Sequence, residues 1–250
     1  AEMGGTMSSE IANFYTKFYR DQGGSTTSAH QYIRPTEYLI DQYTARNDPR
    51  ITQLYITIDG DFNGVIFGNE SASDSRYYPE NTSAFLGPVE NGNSPAGIFK
   101  SPEQPNILLS SSESLFLQAE AAEREWIGGS AAAFYETAIL KSFRQTGTDV
   151  SLLNDYLRQD RVNYNTAPHR IKRIIEQKWL ALNSISNIEA WNDYRRLGWP
   201  EFPNSAATGI APDERPLRLM YPETERSTNN ENTSKQGNDE MTVSPVWWDK

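Results

Sequence analysis

The sequence predicts a mainly α-helical chain with long irregular loops and a few short strands. Three observations carry this. Two apolar helical stripes meet at Gly128-Gly129, a second pair of helical patterns runs from His169 to Pro200, and the stretches between are rich in Gly, Pro, Asn and Ser. The small and aromatic residues of the first pair suggest one tetratricopeptide-like unit, with no clean repeat period. One domain portion over 1–250 is expected. Helices and a long loop-and-strand excursion fill 1–105, helical hairpins 106–200, and a coil-rich segment 201–250.

Met7 to Arg20 spaces Ile11, Phe14, Tyr15, Phe18 and Tyr19 for a short amphipathic helix. Tyr32 to Arg46 reads as a second helix, with Tyr38, Leu39 and Tyr43 on one side and Asn47-Asp48-Pro49 as its stop. Ile51 to Ile58 is β-branched and alternating, so a strand is expected, turned by Asp59-Gly60. From there to Pro105 no helical period appears, which points to an irregular excursion with short strand pairings. Ser110-Ser-Ser-Glu113 is a capping box opening a helix that carries Leu115, Phe116, Ala119, Ala122 and Trp126, ended by Gly128-Gly129. Ser130 caps the next, with Phe134, Tyr135, Ala138, Ile139 and Phe143 on its stripe, and Ser151 to Asp160 adds a short helix.

Ile171, Ile174, Ile175, Leu182 and Ile185 define one face of a helix started by Thr166 and Pro168. Asn187 is placed to cap a further helix carrying Ile188, Trp191 and Tyr194, and Gly198 stops it. The indoles of Trp126, Trp179 and Trp191 are expected in the core, with Trp179 and Trp191 against the first hairpin. Leu217 to Tyr221 reads as a strand, Ser227 to Asp239 as an exposed loop, and Trp247-Trp248 as a docked or partner-binding end.

The chain has 33 acidic and 23 basic residues, a formal net charge of −10, so nucleic acid is not an expected partner. Neutral glycans suit that charge better than anionic polysaccharides. It holds no cysteine, which excludes disulfides, zinc thiolates and a cysteine nucleophile in this portion. No Walker loop, G-x-G-x-x-G or G-x-S-x-G occurs, and no cofactor is expected. Asp59, Asp61, Asn63, Gly64 and Glu70 match a calcium-loop template, but the flanks are not helical, so a metal-free turn between strands is the preferred reading. The pairs Glu120/Glu123 and Glu223/Glu225 raise glycoside hydrolysis as an alternative; Glu120 and Glu123 are read as a solvated helix face beside Arg124. His30 and His169 are read as surface or helix-end residues, and Arg195 and Arg196 as partners of Asp193, Glu189 or a carbonyl. Sugar C–H faces stack on aromatic rings, which leaves the loop residues Tyr77, Tyr78 and Trp199 as candidate ligand contacts.

Several stretches resemble one known family. They are Glu113-Ser-Leu-Phe-Leu-Gln-Ala-Glu120, Glu176-Gln-Lys-Trp179-Leu-Ala-Leu182, Glu189-Ala-Trp191-Asn-Asp193-Tyr-Arg195-Arg196-Leu-Gly198-Trp-Pro200, Arg215-Pro-Leu-Arg218-Leu-Met-Tyr221-Pro222, the Asn229 to Asn232 tract and Pro245-Val-Trp247-Trp248-Asp249. Asn47-Asp48-Pro49-Arg50 and Gly60-Asp61-Phe62-Asn63-Gly64 fit more loosely. Together they resemble the C-terminal half of the SusD/RagB family, glycan-binding lipoproteins of the outer membrane in gut-type Gram-negative bacteria. The resemblance implies a tetratricopeptide-like helical scaffold, and a non-enzymatic cell-surface protein that delivers oligosaccharide or polysaccharide to a TonB-dependent outer-membrane transporter. It also implies an anchor through an N-terminal lipid that this portion does not contain. A peptide- or protein-binding module of the same kind of complex is the alternative.

Overall fold

The computed structural model describes residues 2–3, 14–70, 73–209, 215–237 and 239–246. Helices dominate. The short strand β1 (Glu2–Met3) pairs antiparallel with β2 (Asn106–Ile107), Glu2 opposite Ile107. Between them lie helices α1 (Phe14–Phe18), α2 (Ser28–Tyr32), α3 (Glu37–Thr44) and α4 (Ile51–Leu54). After β2 come α5 (Ser111–Glu123), α6 (Ala131–Thr146), α7 (Leu153–Arg158), α8 (Arg170–Ala181), α9 (Asn187–Leu197), α10 (Glu223–Thr228) and α11 (Asn230–Lys235).

The expected second helix is two. Ile33 turns extended, at φ −77° and ψ 118°, just ahead of Pro35, and the Thr36 hydroxyl accepts the Leu39 N–H at 3.2 Å to open α3 afresh. The expected strand from Ile51 is instead a helical turn. Pro49 presets the turn, and the Asp48 carboxylate accepts the Arg50 N–H at 3.0 Å. Ile51 and Leu54 then fall three apart on one buried face, a spacing that satisfies burial without alternation. Only Tyr55 and Ile58 form isolated bridges, to Phe85 and Asp61. The excursion to Pro105 is irregular as expected, with single bridges and two short 3₁₀ turns, Ser75–Tyr77 and Pro79–Asn81.

The hairpin of α5 and α6 forms with both caps: Ser110 Oγ accepts from Glu113 N at 3.0 Å, and Ser130 Oγ from Ala133 N at 3.3 Å. However, α5 stops before the glycines. Glu125 adopts φ 61°, and the Trp126 N–H reaches back to the Ala121 carbonyl at 2.9 Å, the closure of a left-handed helix end. Trp126 is thereby carried off the helical stripe and stands 70% exposed, not in the core.

Two apolar clusters form the interior. Tyr19, Tyr43, Leu54, Phe85 and Phe99 anchor one beneath α1 to α4; Phe116, Tyr135, Ile139, Phe143 and Tyr156 anchor the other between α5, α6 and α7. Helix α8 serves both, placing Leu180 in the first and Ile174 and Ala181 in the second. At its N-terminus α8 begins at Arg170, with His169 and not Pro168 as its boundary. Arg50, fully buried, ties the clusters together. It donates to Asp48 (2.5 Å), to Ser142 of α6 (2.9 Å), to Tyr156 of α7 (3.1 Å) and to Gln177 of α8 (3.0 Å). Such a charge is tolerated in the interior because every partner is fixed around it.

Trp179 and Trp191 are half-buried and do not form a wall against the hairpin. Trp179 packs on Tyr38 and Phe202, and Trp191 donates to the Pro216 carbonyl at 3.1 Å beneath the Arg195 guanidinium. Asn187 is the first residue of α9 and its side chain accepts from Ser184 N at 2.7 Å instead of capping α9. Gly198, at φ 74°, ends α9 as expected. Leu217 to Tyr221 is not a strand; its backbone is held by Met241 and Asp239. Part of the expected polar loop is coiled into α10 and α11, started by Pro222 and closed by bonds between Asn229 and its neighbours. Ile11, Trp247 and Trp248 lie outside the described residues.

Candidate functional site

A cleft of about 450 Å³ opens between α3, the Asp59–Gly64 turn and the first 3₁₀ turn. Asp59-Gly60 turns tightly with φ of 53° and 94°, and Ile58 and Asp61 exchange backbone bonds across it. The chain then presses on α3: Val65 N donates to the Pro35 carbonyl at 2.9 Å, and Glu37 N to the Val65 carbonyl at 2.9 Å. Gly64 permits this approach, since a Cβ there would sit 2.3 Å from Glu37 N. Across the cleft, the Asp74 carboxylate accepts the Arg76 N–H at 3.1 Å and its Nη2 at 2.7 Å, which forms the turn that presents Tyr77. These bonds hold the Asp74 carboxyl below its usual range.

The half-buried Tyr77 ring has the Arg76 guanidinium 5.2 Å from its centroid, and its hydroxyl donates to Glu37 at 3.3 Å. Desolvation, then the Glu37 carboxylate, pushes the Tyr77 phenol up, so it stays protonated as a donor. Glu37, Asp41, Asp59, Asn63 and Asn81 supply further polar groups, and Phe62 and Ile40 give apolar surface. An aromatic plate ringed by carboxylates, amides and one guanidinium can stack a sugar ring and bond its hydroxyls.

Of the three expected contacts, only Tyr77 lines this cleft. Tyr78 is 39% exposed beside it. Trp199, half-buried, borders a separate cleft of about 570 Å³ with His169, Arg170 and Glu123; His169 stacks on it at 6.4 Å. Of the calcium template, Asn63 donates to the Asn81 carbonyl at 3.3 Å, and Glu70 accepts from Thr208 N at 3.4 Å. Among the described residues no group of three or more His, Cys, Asp or Glu is placed to hold a metal. The turn is flanked by isolated bridges, not by the strands expected.

Glu120 is buried, contrary to expectation, and bonded to Arg196 and to Arg124 (2.8 Å). Burial pushes its carboxyl up, but Arg196 and Arg124 outweigh this and leave it below the usual range. Glu123 accepts from the Tyr164 hydroxyl and pairs with Arg170 at 3.7 Å. Arg196 also pairs with Asp193 at 2.8 Å, as expected, and Lys178 with Asp193 at 3.0 Å. His30 is buried as well, its Nε2 2.9 Å from the Phe85 carbonyl, whereas His169 is exposed at the start of α8. Sequence reasoning missed Glu37, Asp41, Arg76 and Asn81; the Asp74-x-Arg76 turn is a local signal for Arg76 alone.

No helix of the described residues is long and apolar enough to cross a membrane. A family model described as "Starch-binding associating with outer membrane", of the SusD-like kind, matches residues 7–222. No curated protein matches the sequence. A SusD homologue from Bacteroides fragilis NCTC 9343 superposes with a TM-score of 0.75 at 22% identity, over 93% of this chain and 55% of that one. One from Bacteroides thetaiotaomicron VPI-5482 gives 0.68 at 24%, over 86% and 52%. A structure described as a chitin-binding protein gives 0.64 at 25%, over 86% and 50%. The chain thus spans about half the length of the solved structures it matches. With that fold and a family match across most of its length, the chain belongs to the SusD/RagB family.

Proposed function

We propose that this chain binds oligosaccharide in the Tyr77 cleft, as the capture part of a cell-surface uptake system, and does not turn its ligand over. The whole protein, held to the outer membrane by a lipid, passes the glycan to a TonB-dependent transporter. The observation that carries this reading is the Tyr77 plate, fixed by Arg76 and Glu37 inside a ring of amides and carboxylates. Family membership and the chitin-binding relative support a sugar as the ligand. Hydrolysis has no support at Glu120, because a carboxyl held low by two guanidiniums is a poor general acid. Release to a transporter requires modest affinity, micromolar to millimolar, about 4–8 kcal/mol.

Calorimetry of the whole protein with a panel of neutral oligosaccharides tests this. Tyr77→Ala should weaken binding by about tenfold, roughly 1.4 kcal/mol. A larger loss in Tyr78→Ala or Trp199→Ala moves the site elsewhere, and product formation from any sugar overturns the non-enzymatic reading.

A further inference from the structure

Helix α3 borders a second cleft, of about 320 Å³, with a different chemistry. Glu37 and Asp41 line the first cleft; Tyr38 and Gln42, one residue on in each case, line this one. One side of its wall is aromatic: Tyr38 stacks on Trp179 with centroids 5.9 Å apart, and Phe202, outside the lining, supports Trp179 edge-on at 5.7 Å. Arg46, Arg161 and Arg173 also line it. Arg46 is committed to Glu176 at 3.1 Å and to Gln42 at 2.7 Å. The carboxylate of Glu201, at the same cleft, is taken by Lys172 at 2.7 Å. Arg173 donates to the Asp160 carbonyl at 2.8 Å and has no ion pair among the described residues. Arg161 is exposed, with neither hydrogen bond nor ion pair there.

We infer that this cleft reads a carboxylate on the glycan: a hexuronate residue lays its ring against the Tyr38–Trp179 pair and gives its carboxylate to Arg161 and Arg173. The inference rests on the glycan-binding reading above and specifies its ligand. Guanidinium and carboxylate match in geometry and form charge-assisted bonds, which a lone hydroxyl does not. The aromatic wall selects a sugar acid over a bare anion, since phosphate or sulfate has no C–H face to stack. The chain's net charge of −10 repels long polyanions, so an acidic residue set in an otherwise neutral glycan fits both clefts best.

The test is calorimetry of the whole protein with a neutral oligosaccharide that ends in a single galacturonate residue and with the methyl ester of that residue, the same rings without the charge. Wild type should bind the acid about tenfold more tightly at low ionic strength, and the preference should shrink in high salt. Arg161→Gln/Arg173→Gln should abolish the preference, while Tyr77→Ala leaves it in place. Arg161→Gln alone, at an exposed side chain, keeps the test open should the double variant not fold. Equal affinity for acid and ester, or a preference that survives both arginine changes, overturns the inference. If neutral oligosaccharide still binds in a Tyr77-dependent way, only the uronate assignment is lost. If no sugar of either kind binds, the glycan reading falls with it.

Discussion

Arg196 of α9 and Glu120 of α5, 76 residues apart, meet in a two-pronged ion pair, with Nη2 on Oε2 at 2.7 Å and Nη1 on Oε1. Glu120 is 4% exposed, so this pair, with Asp193 and Lys178, joins the hairpin to the α8–α9 pair. A carboxylate that a helical projection assigns to solvent is therefore a fixed part of the interior.

Glu120→Gln keeps the shape and removes the charge. It should cost about 1–3 kcal/mol in a denaturant melt, below the figure for a fully enclosed pair because Arg196 keeps 36% of its side chain exposed. The folded carboxyl lies below its unfolded range, so its contribution is complete above about pH 4.3 and is lost as pH falls through the folded value. The variant should accordingly lose less stability than wild type on acidification through that window. A wild-type stability at Glu120→Gln would show that the pair is decorative.

Core truncation separates the aromatic residues that the sequence grouped together. Phe116→Ala, at a fully buried ring edge-on to Tyr135, should cost about 3–5 kcal/mol. Trp126→Ala, at a side chain 70% exposed, should stay within about 0.5 kcal/mol of wild type despite the larger group removed. Equal losses at the two positions would restore Trp126 to the core.

What the sequence made legible was local. The caps at Ser110 and Ser130 and the stop at Gly198 each depend on residues within a few positions and stand as read, as do Ile171, Ile174 and Ile175 of α8, whereas Leu182 and Ile185 lie beyond that helix's end at Ala181. Trp126 escaped because the helix ends at a non-glycine, Glu125, whose positive φ no propensity announces. Ile51–Leu54 escaped because Asp48 and Arg50 impose a turn through bonds to Ser142, Tyr156 and Gln177, all far off in sequence. The candidate cleft follows the same rule. Tyr77 could be picked as a loop aromatic, but Glu37, Asp59 and Asn81 converge on it only through the contact of Gly64 with α3. Trp199, chosen on the same loop criterion, lands in another cleft because α9 carries it there.

The last prediction concerns His30, 7% exposed, packed edge-on to Tyr19 at 5.1 Å with its Nε2 2.9 Å from the Phe85 carbonyl. Burial is the largest influence on it and lowers its proton affinity; Arg20 and Arg34 act in the same direction, against the Phe85 carbonyl and Glu90. The unfolded imidazole titrates near pH 6.5, so between the folded value and about 6.5 the unfolded chain binds more protons. Stability is therefore full above about pH 6.5 and falls as the pH drops below it. His30→Gln, which can keep a donor to the Phe85 carbonyl, removes the titration and should flatten that part of the profile. Melting temperatures measured from pH 7.5 down to 5.5 decide it, on the range where an unperturbed histidine titrates. A His30→Gln profile parallel to wild type across that range would remove His30 as the source of the acid sensitivity.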